Sequence, residues 1–553
     1  MSRKLFLTTF FIIVLIGVLS LSFEVQRVEA SGTIYIRADG SIDPPDAPIS
    51  TLDNVTYTFT GNINDSIVVE RDNAAVDGAG YILSIGYLPN DISLYDRSNV
   101  TIKNMKIQGS WLRAGIQLAR SSNCTISGNN ITADSPLLPW GLRLDNSSDN
   151  KIVNNTFTNN GLYAIFSYQN TVVNNIVNGK PLVYLEDVSD HGVNDAGQVI
   201  LLRCNNVTVK DLDLFSTTAG VELFETNNTI ISENNITANN LGILLEGSSN
   251  NIIIKNNITK NSVGIWLESK RAHESTNNTI SGNRIAENSY GIYLQSSNHN
   301  RMSGNNLTNN EEGIQLMLAS YNLVCENNII ENEYGISEGG LLDEPYDSNN
   351  TIYHNNFVNN TNQAIPSYSN VWDDGIEGNY WSNYTGVDLD HDGIGDTAHV
   401  IDANNTDHYP LMSMFSSFNT LYNHQINIVS NSSISHFDFN VVGQYQAMLT
   451  FDVTVDTGTQ GFCRICIPRA LINSSYVVKL SGEVINEPQA RQLPCSNETY
   501  EYLYINYAHS EHTIEVSGPT PIAEFSSFLI LPLFFMVILL AVIVHRRRYA
   551  QRK

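Results

Sequence analysis

The sequence predicts an all-β protein: a parallel β-helix solenoid of about 22 residues per coil, followed by a β-sandwich and a single C-terminal transmembrane helix. Three observations predict it. A Gly-(Ile/Val)-x-Leu phrase returns at a near-constant step, asparagine pairs return with it, and a charge-free apolar run lies close to the C-terminus.

The chain ends are read first, because they are not part of the fold. Arg3 and Lys4 precede an apolar run from Leu5 to Leu21, and Val28-Glu29-Ala30 offers small residues at the spacing of a cleavage site. Residues 1–30 read as a secretory signal peptide. Phe525–Val544 holds twenty residues without a charge, enough at helical rise to cross a bilayer. Arg546, Arg547 and Arg548 follow at once and place the tail, residues 545–553, in the cytoplasm. The expectation is a cell-surface, single-pass membrane protein whose N-terminal region is extracellular.

A net charge of −26 excludes a nucleic-acid partner, which requires a basic patch. It suits an exposed extracellular surface or a cation-binding one.

The repeat comes next. The Gly phrase occurs at Gly115, Gly141, Gly220, Gly242, Gly264, Gly291 and Gly313, with an echo at Gly335. From Gly220 the steps are 22, 22, 27, 22 and 22 residues, and the long step contains the insertion "SKRAHESTNN". Such a period means a solenoid. Each unit carries three short apolar bursts, such as Ile252-Ile253-Ile254, Ile258 and Ile265-x-Leu267, separated by Asn, Gly and Ser. No burst is long enough for a helix, so each coil has three strands. Residues 31–91 are the N-terminal cap and first coils, and 92–380 the β-helix repeats. Asn pairs follow the Gly phrase at 234/235, 256/257, 305/306, 327/328 and 355/356. Asn tolerates the left-handed turn conformation, and stacked amides can bond along a column. The sequon asparagines Asn235, Asn257 and Asn306 lie in this ladder and are expected to be buried or unmodified. Asn431, Asn473 and Asn497 are the better glycosylation candidates.

The repeats, the stretch "NGKPLVYLEDVSDHGVNDAGQVILLRCNNVTV" (Asn178–Val209) and the stretch "GNYWSNYTGVDLDHDGIGDTAHVIDANNTDHYPLM" (Gly378–Met412) resemble the NosD-type right-handed parallel β-helix proteins, which share the pectin-lyase-like fold. The resemblance covers roughly Thr33 to Met412. It implies copper handling, carbohydrate binding or sugar hydrolysis. The layout of signal, β-helix, β-sandwich and stem resembles archaeal surface proteins. Copper needs clustered His, Met or Cys. Met302, Met317, His299 and His354 form no matching column, and His391, His399 and His408 alternate with Asp.

Residues 381–412 form an acidic capping segment. Asp388, Asp390, Asp392 and Asp396 alternate around Gly393, and with the Ile394 carbonyl they offer the hard oxygens that Ca²⁺ takes. Position 12 is His399 rather than Glu, and Asp402 or Asp407 is available to complete the shell. The ion's expected role is structural.

On the solenoid face, Ile265 and Leu267 should point inward. Trp266, Tyr293, Glu246, Glu268 and Gln295 should then form an outward strip. Aromatic faces beside carboxylates and amides suit sugar rings. Glu246 and Glu268, one strand spacing apart, are also candidates for a retaining glycosidase pair. Lyase chemistry needs a base beside a cation, and among the outward columns only Arg143 stands out. Residues 413–518 alternate in short runs such as "MLTFDVTV" and read as a β-sandwich spacer. Of the late cysteines, Cys495 is expected to bridge to either Cys463 or Cys466 rather than bind zinc. The function expected is a surface-anchored binding or structural module directed at carbohydrate or cell-envelope components. The alternatives are a polysaccharide-active hydrolase or lyase, and copper handling.

Overall fold

In the computed structural model the described residues are 32–521, apart from 85–91, 110–113, 135–139, 271–272, 340–347, 443–445, 455–458, 474 and 509. The expected signal peptide, transmembrane helix and tail lie outside them. Among the described residues no helix is long and apolar enough to cross a membrane. The chain forms two compact units, Met1–Asn178 and Gly179–Lys553.

Both units build coils from three parallel sheets. In the first, strands Ser66–Val69, Ile92–Tyr95, Ala114–Ala119, Trp140–Asp145 and Leu162–Ile165 stack in one sheet, and two further sheets complete the coil. In the second, one sheet runs through Gln198–Leu202, Ala219–Phe224, Leu241–Glu246, Val263–Glu268, Tyr290–Gln295, Glu312–Met317 and Tyr334–Gly339. Its register pairs Ile243 with Ile265 and Ile265 with Ile292, so like residues stack on like. The inward columns of Ile, Leu and Val, closed by Phe357, Trp372 and Trp381, form one continuous core. A solenoid has no other way to bury its apolar face, because each coil touches only its neighbours.

The Gly phrase has a steric cause. A Cβ on Gly264 would sit 2.5 Å from the Gly291 carbonyl oxygen of the next coil, and one on Gly313 would sit 2.6 Å from that of Gly335. Only glycine lets successive coils approach so closely.

The asparagines form three buried columns, which explains their abundance. Asn234, Asn256, Asn283, Asn305, Asn327, Asn355 and Asn379 make one of them. Asn256 Nδ2 donates to Asn283 Oδ1 at 3.0 Å and to the Ile231 carbonyl at 2.9 Å, while its Oδ1 accepts from the Asn234 backbone N–H at 3.0 Å. Each amide thus satisfies backbone groups at a turn that water does not reach. Two expectations are corrected here. The left-handed residues are not the ladder asparagines but those just before them: Glu233, Lys255, Gly282, Gly304, Glu326 and His354. The sequon residues Asn235 and Asn306 are exposed and Asn257 half-buried, because they open an outward strand rather than lie in the buried column. They form an outer ladder instead, with Asn257 Nδ2 donating to Asn235 Oδ1 at 2.8 Å.

After Met412 the chain builds two five-stranded antiparallel sheets. One contains Phe415–Asn419, Gln425–Ser430, Gln460–Pro468, Tyr500–Ala508 and Ala490–Gln492; the other is centred on Gln446–Thr454 and His512–Pro519. Residues of both enclose one apolar core, including Ile428, Ile465, Ile505, Phe451 and Val516.

Candidate functional site

On the second unit the outward residues of the long sheet form the predicted aromatic strip. Trp266 stacks on Tyr293 with ring centroids 5.6 Å apart, and Tyr290 joins them at 5.5 Å. All three rings are half-buried. The Tyr293 hydroxyl lies 3.4 Å from Gln295 Oε1 and 3.2 Å from Met317 Sδ. Tyr290 was missed by sequence reasoning because the in–out alternation breaks at Gly291, between it and Ile292. The pairing passes over Gly264 and Gly291 together, with the register unchanged on either side.

The two carboxylates expected to flank this strip are not open to solvent, which corrects the sequence reading. Glu246 is 2% exposed and Glu268 5%. They do stack on adjacent coils, but the insertion in the long coil covers them. Lys270 Nζ lies 2.7 Å from Glu268 Oε2 and 3.4 Å from Glu246 Oε2. His273 packs over Gly247 and reaches Glu225 at 3.4 Å. One ammonium serves two carboxylates, and Glu246 Oε1 has no partner among the described residues. Burial above all, opposed by Lys270 and reinforced by the neighbouring Glu268, pushes the Glu246 carboxyl up to about 7. A sugar ring cannot reach this pair with Lys270 in place.

A second aromatic group lies on the first unit. Trp140 stacks on Tyr163 at 5.5 Å, and the Arg143 guanidinium sits 4.3 Å from the Trp140 ring. Arg143 is therefore a stacked cation, paired to Asp145 at 3.3 Å, and not a base beside a reacting centre. Reading the Gly141 phrase by the same column rule would have found Tyr163, its register partner.

The acidic segment brings Asp388, Asp390 and Asp392 together, with one carboxylate oxygen from each within 4.8 Å of the others. Asp388 accepts from the backbone N–H of Asp392 and Gly393, both at 2.9 Å. Asp396 is directed elsewhere, accepting from Leu389 N–H at 2.6 Å, and the Ile394 side chain is buried against Leu411. Neither Asp402 nor Asp407 completes the shell: Asp402 holds Asn405, and buried Asp407 accepts from Trp381 Nε1 at 2.8 Å.

Behind this loop lies a network that the sequence did not reveal. Arg464, from strand Gln460–Pro468, donates Nε to Glu377 Oε1 at 2.5 Å and Nη1 to the Asp392 carbonyl at 2.8 Å. His354 Nε2 lies 2.9 Å from the other Glu377 oxygen.

All six cysteines are free thiols. Cys463 faces the core between the two antiparallel sheets, 3.3 Å from Ser430 Oγ, whereas Cys466 lies on the opposite face in a cluster with Cys495. An odd spacing on one strand separates them. Asn431, Asn473 and Asn497 are exposed, but Asn431 Nδ2, the atom a glycan would occupy, donates to the Gln460 carbonyl at 3.0 Å.

These features define a class: a parallel β-helix with an aromatic outward strip, an acidic terminal loop and a C-terminal pair of antiparallel sheets. A family model described as "Periplasmic copper-binding protein (NosD)" matches residues 184–312 and 271–386, and one described as "Right handed beta helix region" matches 57–187. The chain is a NosD-type right-handed parallel β-helix protein. No curated protein matches it. Among solved structures, it is similar to a mannuronan C-5 epimerase A-module from Azotobacter vinelandii, with 13% identity, 62% of this chain and 90% of that one covered, and a TM-score of 0.28. It is similar to a periplasmic alginate epimerase at 16% identity, 59% and 78% coverage and a TM-score of 0.27. A tailspike protein of E. coli bacteriophage HK620, in complex with a pentasaccharide, matches at 10% identity, 84% and 83% coverage and a TM-score of 0.24. Scores at this level carry no functional argument.

The copper of the family's description does not fit the residues present. Among the described residues the group of three carboxylates contains no His or Cys. His354 is held by Glu377 and stacked on Phe415, His299 is stacked on Tyr321, and Met302 is buried in the core.

Proposed function

We propose that this protein is a binding module of the cell envelope that holds polysaccharide on the Trp266–Tyr293–Tyr290 platform. The observation that carries this reading is the stack itself: Trp266 over Tyr293 on adjacent coils, with Tyr290 beside Tyr293 on the same strand, all three half-buried on the outer side of the sheet. Rings presented this way suit the apolar faces of sugars. The description of the matched family as periplasmic supports the envelope location. Residues 1–30 and 525–544 supply export and a membrane anchor in this reading, and the paired antiparallel sheets act as a β-sandwich spacer. Ca²⁺ is held by Asp388, Asp390 and Asp392 with water completing its shell, and it stiffens the end of the helix. On export the free thiols of Cys466 and Cys495, which share one cluster, oxidise to a disulfide in this reading, and Asn473 and Asn497 carry glycans. Glu246 and Glu268 do not act as catalysts, because Lys270 neutralises and covers them.

The test is binding of the full-length protein, in lipid nanodiscs with Ca²⁺, to a panel of neutral and acidic polysaccharides, with polymer size read by mass spectrometry. Retention that falls at least tenfold in Trp266→Ala, with polymers left intact, is the expected result. Shortened polymers, or retention unchanged in that variant, would overturn the reading.

A further inference from the structure

A second site lies where the last coils of the β-helix face the first strands after Met412. A cleft of about 1070 Å³ opens there, just above the range of roughly 300–1,000 Å³ in which small-ligand sites fall. The repeat itself makes its floor. The left-handed turn position before each ladder asparagine reads Lys255, Gly282, Gly304 and Glu326 on successive coils, with φ of 56, 62, 64 and 62°. Two glycines in a row leave a trough between a cation at one end and a carboxylate at the other. At one strand spacing per coil the trough is about 14 Å long, the span of a short oligosaccharide. Ser281 and Ser303 border it, and the strand Phe415–Asn419 forms the opposite wall. That wall is fixed: Asn356 donates Nδ2 to the Phe415 carbonyl at 2.9 Å and accepts its N–H at 2.7 Å.

The charges decide the ligand. The chain has 56 acidic residues and 30 Lys and Arg, so most surface cations have a carboxylate within reach. Lys255 is exposed and makes no ion pair among the described residues. Arg301, on the trough's edge, keeps only a 3.8 Å contact to Glu326 and donates Nε to Ser303 Oγ at 3.2 Å. A contact so long and exposed contributes little. We infer that this cleft binds an anionic oligosaccharide, whose carboxylate or sulfate groups pair with Lys255 and Arg301 and whose hydroxyls meet Ser281, Ser303 and Glu326. The acidic surface as a whole repels such a ligand, but charges beyond the Debye length of about 8 Å are screened at physiological salt. Within that distance the carboxylates are Glu326, in the trough, and Glu233, one coil before Lys255, and each already faces another cation, Arg301 at 3.8 Å and Lys210 at 3.3 Å. This site is separate from the Trp266 platform and does not depend on it.

The experiment is isothermal titration calorimetry on the full-length protein in nanodiscs at physiological salt. The probes are a uronic acid hexasaccharide, a sulfated hexasaccharide, and the uronic acid compound with its carboxyls reduced to alcohols. At least one charged probe should bind, and whichever it is names the anion. The reduced probe should bind at least tenfold more weakly. Lys255→Ala should weaken the charged probe by about tenfold, the loss of one charge-assisted contact. Gly282→Asn with Gly304→Asn should abolish binding by filling the trough. Asn suits that backbone, since Asn104, Asn154 and Asn174 occupy the same turn position in the first unit with φ of 55, 57 and 56°. Equal binding of the reduced probe, no binding of either charged probe, or an undiminished affinity in Lys255→Ala would overturn the proposal. So would binding that falls only in Trp266→Ala, which would assign the ligand to the platform.

Discussion

Arg464 and Glu377, 87 residues apart in sequence, form an ion pair in which both side chains are almost fully buried, at 1% and 3% exposure. His354 closes the far side of the carboxylate, and the Asp392 carbonyl takes another guanidinium donor. The pair ties the last coil, the acidic loop and the antiparallel sheets of the second unit into one structure.

Removing one partner of such a pair leaves a buried charge uncompensated. Glu377→Ala should cost about 3–5 kcal/mol. Urea unfolding followed by tryptophan fluorescence measures it, because Trp372 and Trp381 lie in the adjoining core. The pH dependence has a defined sign. His354 and Arg464 outweigh burial and hold the Glu377 carboxyl at about 2, below its ordinary 4.5. The stabilisation is complete above pH 4.5 and is lost as pH falls towards 2. Glu377→Gln should flatten that acid limb.

Glu246 should behave in the opposite way. Its carboxyl is raised to about 7, so the folded protein holds a proton there that the unfolded chain releases near 4.5. The stabilisation is complete below pH 4.5 and is lost as pH rises through 7. Glu246→Gln should raise the melting temperature at pH 8 and leave it nearly unchanged at pH 4.5. Lys270→Ala should do the reverse of help: with the shared ammonium gone, Glu268 and Glu246 lose their cation, and stability at pH 8 should fall by about 3 kcal/mol or more.

The two kinds of asparagine should separate sharply on substitution. Asn305 donates to Asn327 Oδ1 at 2.9 Å and to the Ile280 carbonyl at 2.8 Å, and it accepts from the Asn283 N–H at 3.0 Å. Asn305→Ala strands those buried groups and should cost about 2–4 kcal/mol, at roughly 1–3 kcal/mol per unsatisfied group. The adjacent Asn306→Ala, at an exposed position, should stay within about 0.5 kcal/mol. Chemical denaturation of the two variants side by side is the check.

Millimolar Ca²⁺ should raise the thermal midpoint of the full-length protein, since an ion bound only by the folded state stabilises it by mass action. Asp390→Asn should abolish the increment without disturbing the loop, because Asp390 is the most exposed of the three carboxylates. Asp396→Asn should retain it, because that carboxylate is turned to Leu389. An increment equal in all three proteins would remove the loop from consideration.

Much of this architecture was legible in the residues. The Gly264-Ile265-x-Leu267 phrase announced both the coil length and the inward columns, because steric contact between stacked glycines and stacking of like residues both repeat with the coil. The aromatic strip was legible for the same reason, and Trp266 and Tyr293 fell where the column rule put them. Glu246 and Glu268 did not. Their direction follows from strand alternation, but their burial depends on where Lys270 and His273 fold back, and no periodicity encodes an insertion. The Asp388–Asp390–Asp392 cluster was visible as spacing, whereas the diversion of Asp396 and Asp407 to backbone and tryptophan partners was not.

What the sequence by itself determined is the repeat: its length, its three strands, its inward residues and its asparagine columns. These are local and periodic, so each coil repeats the same short-range steric and hydrogen-bonding requirements. What only the tertiary structure decided is where non-repeating residues meet. Arg464 finds Glu377, Lys270 covers two carboxylates, and Lys255 borders Gly282 at the end of a trough. Such encounters depend on chain segments that are distant in sequence, or on breaks in the period, and burial and electrostatics act there through space rather than along the chain.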